Sequence, residues 1–396
     1  MLCNALHFLR RSLARDTLSD PPPGDLLVLR PLSIPLAVTA LSAAAAVCLA
    51  CSDGLISPRG FAQSTPEESS APAPTLTPQQ SGTTNRLQAV SPVSDRIVWV
   101  SGVGGTYAVT TDGGDTWRAD VVPGAEGLEF RDVQGLSARD AYLLSAGAGT
   151  DSRIYKTRDG GASWALQFQN EDPNAFYDCF AFWARTRGIT FSDAVDGRFP
   201  VIRTTNGRTW RDIGDDLPPA QEGGEAAFAA SGTCVATQGG NHAWIATGAA
   251  AKARILATTN AGNRWNAYDT PLVSGPLAGG FSVAFRDPDN GILVGGDLNV
   301  AGSQTNNVAV SEDGGKTWNL VTETPFDGAA FGASYAPGVG RRTVVATGPG
   351  GAAWSANEGE SWTTLPDVTG FWAVAFASGR SGWLVGTEGR ILKIRF

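Results

Sequence analysis

The octet Thr110-Thr111-Asp112-Gly113-Gly114-Asp115-Thr116-Trp117 decides the fold. Close copies stand at 157–164 and 311–318, weaker copies at 258–265 and 355–362, and a copy one residue shorter at 204–210. Their last residues are Trp117, Trp164, Trp210, Trp265, Trp318 and Trp362, spaced by 47, 46, 55, 53 and 44 residues. A repeat of this length predicts an array of small sheets rather than one conventional domain.

The octet has the chemistry of a hairpin turn. An apolar run precedes each copy, such as 106–109, and another follows its tryptophan, such as 165–168. Glycine supplies positive φ without steric cost, and Asp or Asn accepts backbone N–H groups within its own turn. The acceptors are Asp112, Asp159, Asn206, Asn260, Asp313 and Asn357. We therefore expect turns between antiparallel strands, with these side chains fastening the turn rather than binding calcium or reacting.

Composition excludes several classes of function. The chain has 396 residues with 49 Gly, and only 17% are charged, which is typical of a turn-rich all-β protein. The formal net charge of −8 disfavours nucleic acid and anionic lipid headgroups as partners. The two histidines, His7 and His242, nearly exclude a His-based metal site or a Ser-His-Asp triad. No GxGxxG unit stands in a βαβ context, so we predict neither cofactor nor metal.

The N-terminal part differs from the rest. Within residues 1–51, the apolar stretch from Leu32 to Ala50 is typical of an export signal. Leu49-Ala50-Cys51 looks like a degenerate bacterial lipobox with Cys51 as the lipidated residue; ordinary cleavage and an uncleaved anchor are the alternatives. Residues 52–82 are rich in Pro, Ser and Thr and predict a disordered tether. We expect an exported protein, periplasmic or anchored to the envelope as a lipoprotein.

Seven repeat units fill residues 83–396. Each predicts an inner strand, a second strand, a third strand, an octet and a fourth strand, with inner strands opening near residues 86, 128, 176, 225, 281, 331 and 371. The seventh unit ends at Phe396 after three strands. A propeller must close its ring, because an unpaired edge is a liability. The sequence predicts a seven-bladed β-propeller of four-stranded antiparallel blades, its last blade completed by a strand between Thr75 and Asn85. Six blades is the alternative.

The octets, together with Gly382-Trp383-Leu384-Val385-Gly386, resemble the Asp-box (BNR) repeats of the photosystem II stability/assembly factor family. The resemblance covers roughly residues 83–396. It implies a seven-bladed propeller on the lumenal or periplasmic side of a membrane, where it acts as a non-catalytic assembly scaffold for a membrane-associated protein partner. We predict that the chain does so as a monomer.

Asp-boxes are also common in sialidases, so a sialidase-like glycoside hydrolase is the alternative function. That chemistry needs three arginines, a tyrosine nucleophile backed by a glutamate, and an acidic aspartate. Glu222 or Glu225 with Tyr177 are the best candidates for it. No arginine triad can be assigned from the sequence.

A site is expected near the axis, on the face opposite the octets. The candidates are Tyr177, Asp178, Asp193, Glu222, Glu225, Asp297 and Arg131. Their convergence predicts an acidic pocket for a cation or a basic ligand group, or a general acid/base pair. The alternative is that they cap strand ends and accept backbone N–H groups. Cys179 and Cys234 are expected to be buried free thiols, with a disulfide as the alternative.

Overall fold

The computed structural model describes residues 72–396. Within this range, strands β1 to β28 form seven four-stranded antiparallel sheets, and three short 3-10 turns are the helical elements. No helix of this part of the chain is long and apolar enough to cross a membrane. The predicted export signal, the lipidation site Cys51 and the tether up to residue 71 lie outside the described residues.

Strands are numbered in chain order, starting with β1 (Thr75–Gln80). Blade one contains β2 (Leu87–Pro92), β3 (Val98–Gly102), β4 (Thr106–Thr110) and β5 (Arg118–Val121). Blade two contains β6 (Phe130–Gly135), β7 (Ala141–Ser145), β8 (Arg153–Thr157) and β9 (Ala165–Gln169). Blade three contains β10 (Tyr177–Ala184), β11 (Arg187–Ser192), β12 (Val201–Thr204) and β13 (Arg211–Asp212).

The remaining blades repeat the pattern. Blade four contains β14 (Val235–Gln238), β15 (His242–Ala246), β16 (Arg254–Thr258) and β17 (Asn266–Asp269). Blade five contains β18 (Ala278–Phe285), β19 (Gly291–Asp297), β20 (Val308–Ser311) and β21 (Asn319–Leu320). Blade six contains β22 (Gly332–Tyr335), β23 (Val344–Gly348), β24 (Gly351–Ser355) and β25 (Thr363–Thr364). Blade seven begins with β26 (Phe371–Ser378), β27 (Ser381–Gly386) and β28 (Arg390–Arg395).

Strand β1 completes blade seven. It pairs antiparallel with β28, from Thr75 opposite Arg395 to Gln80 opposite Arg390. The first strands of successive blades contact one another around the ring, and β2 contacts β26. The seven-bladed architecture and its closure by an N-terminal strand are therefore confirmed. The propeller begins at Thr75, inside the stretch 52–82 that the sequence predicts as a tether.

Hydrophobic packing between blades holds the ring together. In the described residues, seven buried clusters each lie between two adjacent sheets, and an eighth lies at the axis. The cluster between blades one and two shows how the octet contributes. Trp164 packs edge-on against Trp99 and Tyr107 of the preceding blade, with ring centroids 6.1 and 5.0 Å away. Each blade thus buries apolar faces that a single sheet would leave in water.

The six octets form the turns between the third and fourth strands of blades one to six. In the first, Thr110 Oγ1 and Thr116 N donate to Asp112 Oδ1 at 2.7 and 3.0 Å. The equivalent backbone bonds are made to Asp159, Asn206, Asn260, Asp313 and Asn357. The turn also joins the hairpin between the first two strands, because Gly113 N donates to Arg96 O at 2.8 Å. These side chains are therefore occupied within their own turns.

A β-bulge recurs near the start of five first strands, at the face opposite the octets. A bulge inserts one unpaired residue and re-aims its side chain. The residues skipped by the register are Gln88, Arg131, Asp178, Phe281 and Trp372. Three of them, Arg131, Phe281 and Trp372, reach the axis and meet residues from other blades.

Candidate functional site at the propeller axis

A segment between blades three and four crosses the axis. Residues 225–232 are all buried. Ala226 pairs with Gly248, and Val235 pairs with Ile245. The first members of these pairs are nine residues apart and the second members only three, so six extra residues between Ala226 and Val235 must bulge out of the sheet. The prediction that the inner strand of blade four opens near residue 225 is therefore wrong. We call Glu225–Thr233 the axial plug.

Polar contacts join the axial plug to distant blades. Arg131 Nη1, from blade two, donates to Ala229 O at 3.3 Å. Ser231 Oγ donates to the carbonyl of Phe331, at the start of blade six, at 2.7 Å. A single short segment that bonds to blades on opposite sides of the ring must lie in the central channel. The plug therefore occupies part of the channel in which an acidic pocket was expected.

Apolar contacts seat the plug among aromatic rings. Phe228 packs against Phe281 of blade five with ring centroids 4.1 Å apart. Phe281 contacts Phe331 edge-on at 5.8 Å, and Phe331 contacts Trp372 of blade seven at 5.1 Å. Ala230 belongs to the same cluster. One half of the channel wall is thus aromatic, and the plug supplies the residues that fill it.

Glu225 anchors the N-terminal end of the plug. Its side chain is fully buried and forms an ion pair with Arg254, whose Nε lies 3.0 Å from Oε1. Thr247 Oγ1 and Gln221 N donate to the same carboxylate at 2.6 and 3.0 Å. A buried charge is tolerated when it is paired and hydrogen-bonded in this way. The carboxylate is therefore occupied by the protein itself.

A disulfide anchors the C-terminal end. Cys179 and Cys234 are bonded, with Cα atoms 5.9 Å apart, and both are fully buried. The expectation of two free thiols is wrong. Cys179 directly follows the bulge of β10, and Cys234 directly precedes β14, which brings the two side chains face to face at neighbouring blade starts. Their separation lies in the normal range for a disulfide.

The other predicted site residues have different surroundings. Asp193 joins the plug, since Ala227 N donates to its Oδ1 at 3.2 Å. Tyr177 packs edge-on against Phe168 between blades two and three, and burial raises its pKa above the ordinary value. Asp178 is buried, and Glu222 is exposed. Asp297 Oδ1 accepts a hydrogen bond from Asn299 N. The structure thus brings Arg131, Asp193 and Glu225 to the plug and holds Tyr177 and Asp297 in other contacts.

Four side chains form a polar and aromatic surface beside the plug, which we call the rim patch: Arg86, Glu129, Arg131 and Trp372. Arg131 Nε and Nη2 donate to Glu129 Oε2 at 2.9 and 2.6 Å. The Arg86 guanidinium lies over the Trp372 ring at 4.5 Å and 3.9 Å from Glu129. Arg86 Nε has no hydrogen-bond partner among residues 72–396.

The rim patch is partly accessible to solvent. The side chains of Arg86, Glu129 and Arg131 are 23%, 29% and 21% exposed. Burial lowers the pKa of Arg86, an effect that Glu129 opposes. Sequence reasoning found Arg131 but missed the other three members. Their positions in the repeat could have indicated them: Arg86 and Glu129 directly precede the first strands of adjacent blades, and Trp372 is a bulged residue.

Asp132, next to Arg131, is a buried acid that the sequence did not single out. It is 5% exposed, and its Oδ2 accepts from Phe180 N of the neighbouring blade at 2.8 Å. Burial raises its pKa well above the ordinary value, more than the hydrogen bond from Phe180 lowers it. Folding therefore shifts the protonation equilibrium of this carboxyl group toward the neutral form.

A second cluster lies on the octet face, between blades five and six. Glu358 is buried and has a φ of 57°, at the octet position that is glycine in the other copies except for Ala261. Its carboxylate accepts from Arg286 Nε at 2.6 Å, Tyr335 OH at 2.7 Å and Arg342 Nε at 3.1 Å. Arg286 and Tyr335 of this cluster line a cleft of about 610 Å³, together with Arg341.

The Glu358 cluster does not meet the demands of a sialidase site. It brings tyrosine, glutamate and arginine together, but Arg286 and Arg342 are ion-paired with Glu358 and are not free to bind the carboxylate of a substrate. The cluster also lies on the face opposite to the one expected for a site. Among the described residues, no group of three or more His, Cys, Asp or Glu side chains is arranged to hold a metal ion.

Comparison with solved structures gives the same architecture. A structure of YCF48 bound to D1 peptide matches with TM-score 0.56 and 14% identity over 82% of this chain and 97% of that chain. YCF48 from Cyanidioschyzon merolae matches with TM-score 0.59 and 14% identity over 81% and 98%. The WD40 β-propeller domain of Doa1 matches with TM-score 0.53 and 14% identity over 81% and 97%.

Sequence comparison adds no family. No protein-family model matches the chain, and a search of curated proteins gives no significant match. At 14% identity the structural matches establish the fold alone. The chain is thus a seven-bladed β-propeller of the shape that the YCF48 structures share.

Proposed function

We propose that the propeller is a non-catalytic scaffold that holds an extended segment of a protein partner on the rim patch. The observation that carries this proposal is a partly exposed Arg86–Trp372 stack beside the axial plug. Because the plug occupies the channel, we expect a ligand to lie across the rim. The patch faces away from the octets, on the side where the first strands begin.

The chemistry of the rim patch fits a peptide with acidic groups. Arginine and tryptophan dominate the energetics of protein interfaces. A guanidinium group binds a carboxylate through paired N–H groups, and the patch carries two arginines against the single carboxylate of Glu129. A propeller of the same fold has been solved bound to D1 peptide, which supports a peptide ligand for this fold.

The partner is proposed to be a membrane-associated protein, whose assembly in the cell envelope the propeller assists. The predicted export signal and Cys51 support this location. Strand β1 begins opposite Arg395, where the third strand of blade seven ends, and third strands lead to the octet face. The described chain therefore enters the propeller on the octet face, opposite the rim patch.

A peptide array tests the proposal. Overlapping 15-residue segments from exposed termini and loops of envelope proteins, together with the D1 peptide, are probed with the purified propeller. The double variant Arg86→Ala/Arg131→Ala is expected to lose about tenfold or more in affinity for the captured peptides, as for interface hot spots. Arg341→Ala is the matched control, because this arginine is 83% exposed on the octet face. Equal binding by the double variant and the wild type would contradict the proposal.

A further inference from the structure

The axial plug fixes the orientation of one arginine of the rim patch. Arg131 uses two nitrogens on Glu129 and directs the third, Nη1, to the carbonyl of Ala229 in the plug. A guanidinium group is planar, so contacts on two sides determine the direction of the whole group. Without the plug carbonyl, Glu129 alone would hold Arg131, and the side chain could rotate with it.

The plug also supports the aromatic half of the patch. Phe228 packs on Phe281, Phe281 contacts Phe331, and Phe331 contacts Trp372 edge-on at 5.1 Å. Arg86 in turn lies over the Trp372 ring. The chain of contacts therefore runs from the plug to both arginines, through Ala229 O on one side and through the aromatic rings on the other.

The plug is itself held at both ends. Glu225 is ion-paired with Arg254 at one end, and Cys234 is bonded to Cys179 at the other. Ser231 Oγ fixes its middle through the carbonyl of Phe331. A segment held at three points can act as a rigid support for neighbouring side chains, as binding sites need.

We infer that the axial plug is the positioning element of the partner-binding surface, with Phe228 as its key residue. This inference rests on the proposed function. Phe228 is 7% exposed and belongs to the axial cluster, so it acts through Phe281, Phe331 and Trp372 rather than by touching the partner. Loosening the plug should weaken peptide binding even when the blades remain folded.

The test compares three variants in fluorescence anisotropy with a fluorescein-labelled glutamate–tyrosine copolymer as the acidic, aromatic probe. Phe228→Ala removes the plug's ring, and Phe228→Leu replaces it with a smaller apolar group. Ile154→Ala is the control, because Ile154 is fully buried between blades two and three, in a cluster that contains no residue of the plug. All measurements are made well below the melting temperature of each variant.

We expect Phe228→Ala to weaken binding about tenfold, Phe228→Leu to recover most of the loss, and Ile154→Ala to lower the melting temperature without changing affinity. Wild-type affinity in Phe228→Ala, or an equal loss in Ile154→Ala, would overturn the inference. Arg86→Ala/Arg131→Ala separates the two claims. If this double variant binds the probe like the wild type, the proposed function fails, and the inference fails with it.

Discussion

Single carboxylates act in two opposite ways in this molecule. Asp159 lies in an exposed octet turn, where the side-chain and backbone hydrogen bonds of Ser163 and the hydroxyl of Thr157 lower its pKa to about 2. Asp132 lies buried at the axis, where burial raises its pKa well above the ordinary value. Folding thus lowers the pKa of the octet acid and raises the pKa of the axial acid, so their effects on stability depend on pH with opposite signs.

Acid should weaken the octet turns. The folded pKa of Asp159 lies below the unfolded value of about 3.9. Its stabilising contribution is therefore complete above that value and is lost as the pH falls toward about 2. Asp159→Asn keeps the acceptor oxygen, as Asn260 does in its own octet, and removes the titration. We expect the variant to lose less thermal stability than the wild type between about pH 5 and pH 2, followed by circular dichroism. Identical losses would argue against this account.

For Asp132 we expect the reverse dependence of stability on pH. Its folded pKa lies above the unfolded value, so its contribution is complete at low pH and is lost as the pH rises through the folded pKa. Asp132→Asn retains an acceptor for Phe180 N and stays neutral. We expect the variant to be at least as stable as the wild type at about pH 8, with the difference changing in favour of the wild type toward about pH 4. Urea unfolding at both pH values measures this, and a variant clearly less stable at the higher pH would contradict it.

At the scale of elements, sequence pattern predicted the blades well because each repeat carries its own turn chemistry. The octet fixes the third and fourth strands locally, and the seventh unit, which has three strands and no octet, indicated closure by β1. The plug was not predicted because the run 226–230 is apolar, and an apolar run fits a buried strand as well as a segment that fills a channel. The two possibilities differ only in the number of residues between Ala226 and Val235, which exceeds the number in the paired segment. This excess can be counted only when the pairing with β15 is known.

Of the site residues named from the sequence, Arg131, Asp193 and Glu225 contact the plug or belong to it, because strand ends and loops on this face approach the axis. Arg86 and Trp372 were missed because they come from blades one and seven, which meet only when the ring closes. The Cys179–Cys234 bond was likewise not decided by the sequence, since it depends on the bulge that aligns neighbouring blade starts.

The disulfide should contribute substantially to stability. Cys179 and Cys234 are 55 residues apart, and in the chain-entropy account a crosslink of this loop length stabilises the fold by about 4 kcal/mol. We expect Cys179→Ser/Cys234→Ser to lower the free energy of unfolding by a few kcal/mol. Urea unfolding of the double variant against the wild type, both under non-reducing conditions, gives the difference. An unchanged transition midpoint would show that the crosslink does not restrain the unfolded chain.

The whole molecule depends on closure of the ring. Within blade seven, β1 covers the edge of β28, and Gln79 links it to blade one. Gln79 Oε1 accepts from Trp117 Nε1 at 3.1 Å and from Trp383 Nε1 at 3.2 Å, while its amide donates to Gly113 O. A six-residue strand thus joins the last blade to the first octet.

Removing β1 should open the molecule. Deletion of residues 1–81 leaves the edge of β28 unpaired, which favours unfolding and edge-to-edge association. Deletion of residues 1–71 is the matched control, because it keeps Thr75–Gln80. We expect the longer deletion to melt at a clearly lower temperature and to form oligomers in size-exclusion chromatography. Equal melting temperatures and monomeric elution of both deletions would show that closure by β1 is dispensable.

The most direct test of a binding scaffold is the affinity of the propeller for a peptide captured on the array, with and without the rim patch. Fluorescence anisotropy is recorded for the wild type, Arg86→Ala/Arg131→Ala and the octet-face control Arg341→Ala. The account predicts that the double variant loses about tenfold or more in affinity while the control binds like the wild type. Equal affinities for all three proteins would contradict the assignment of the rim patch as the partner-binding surface.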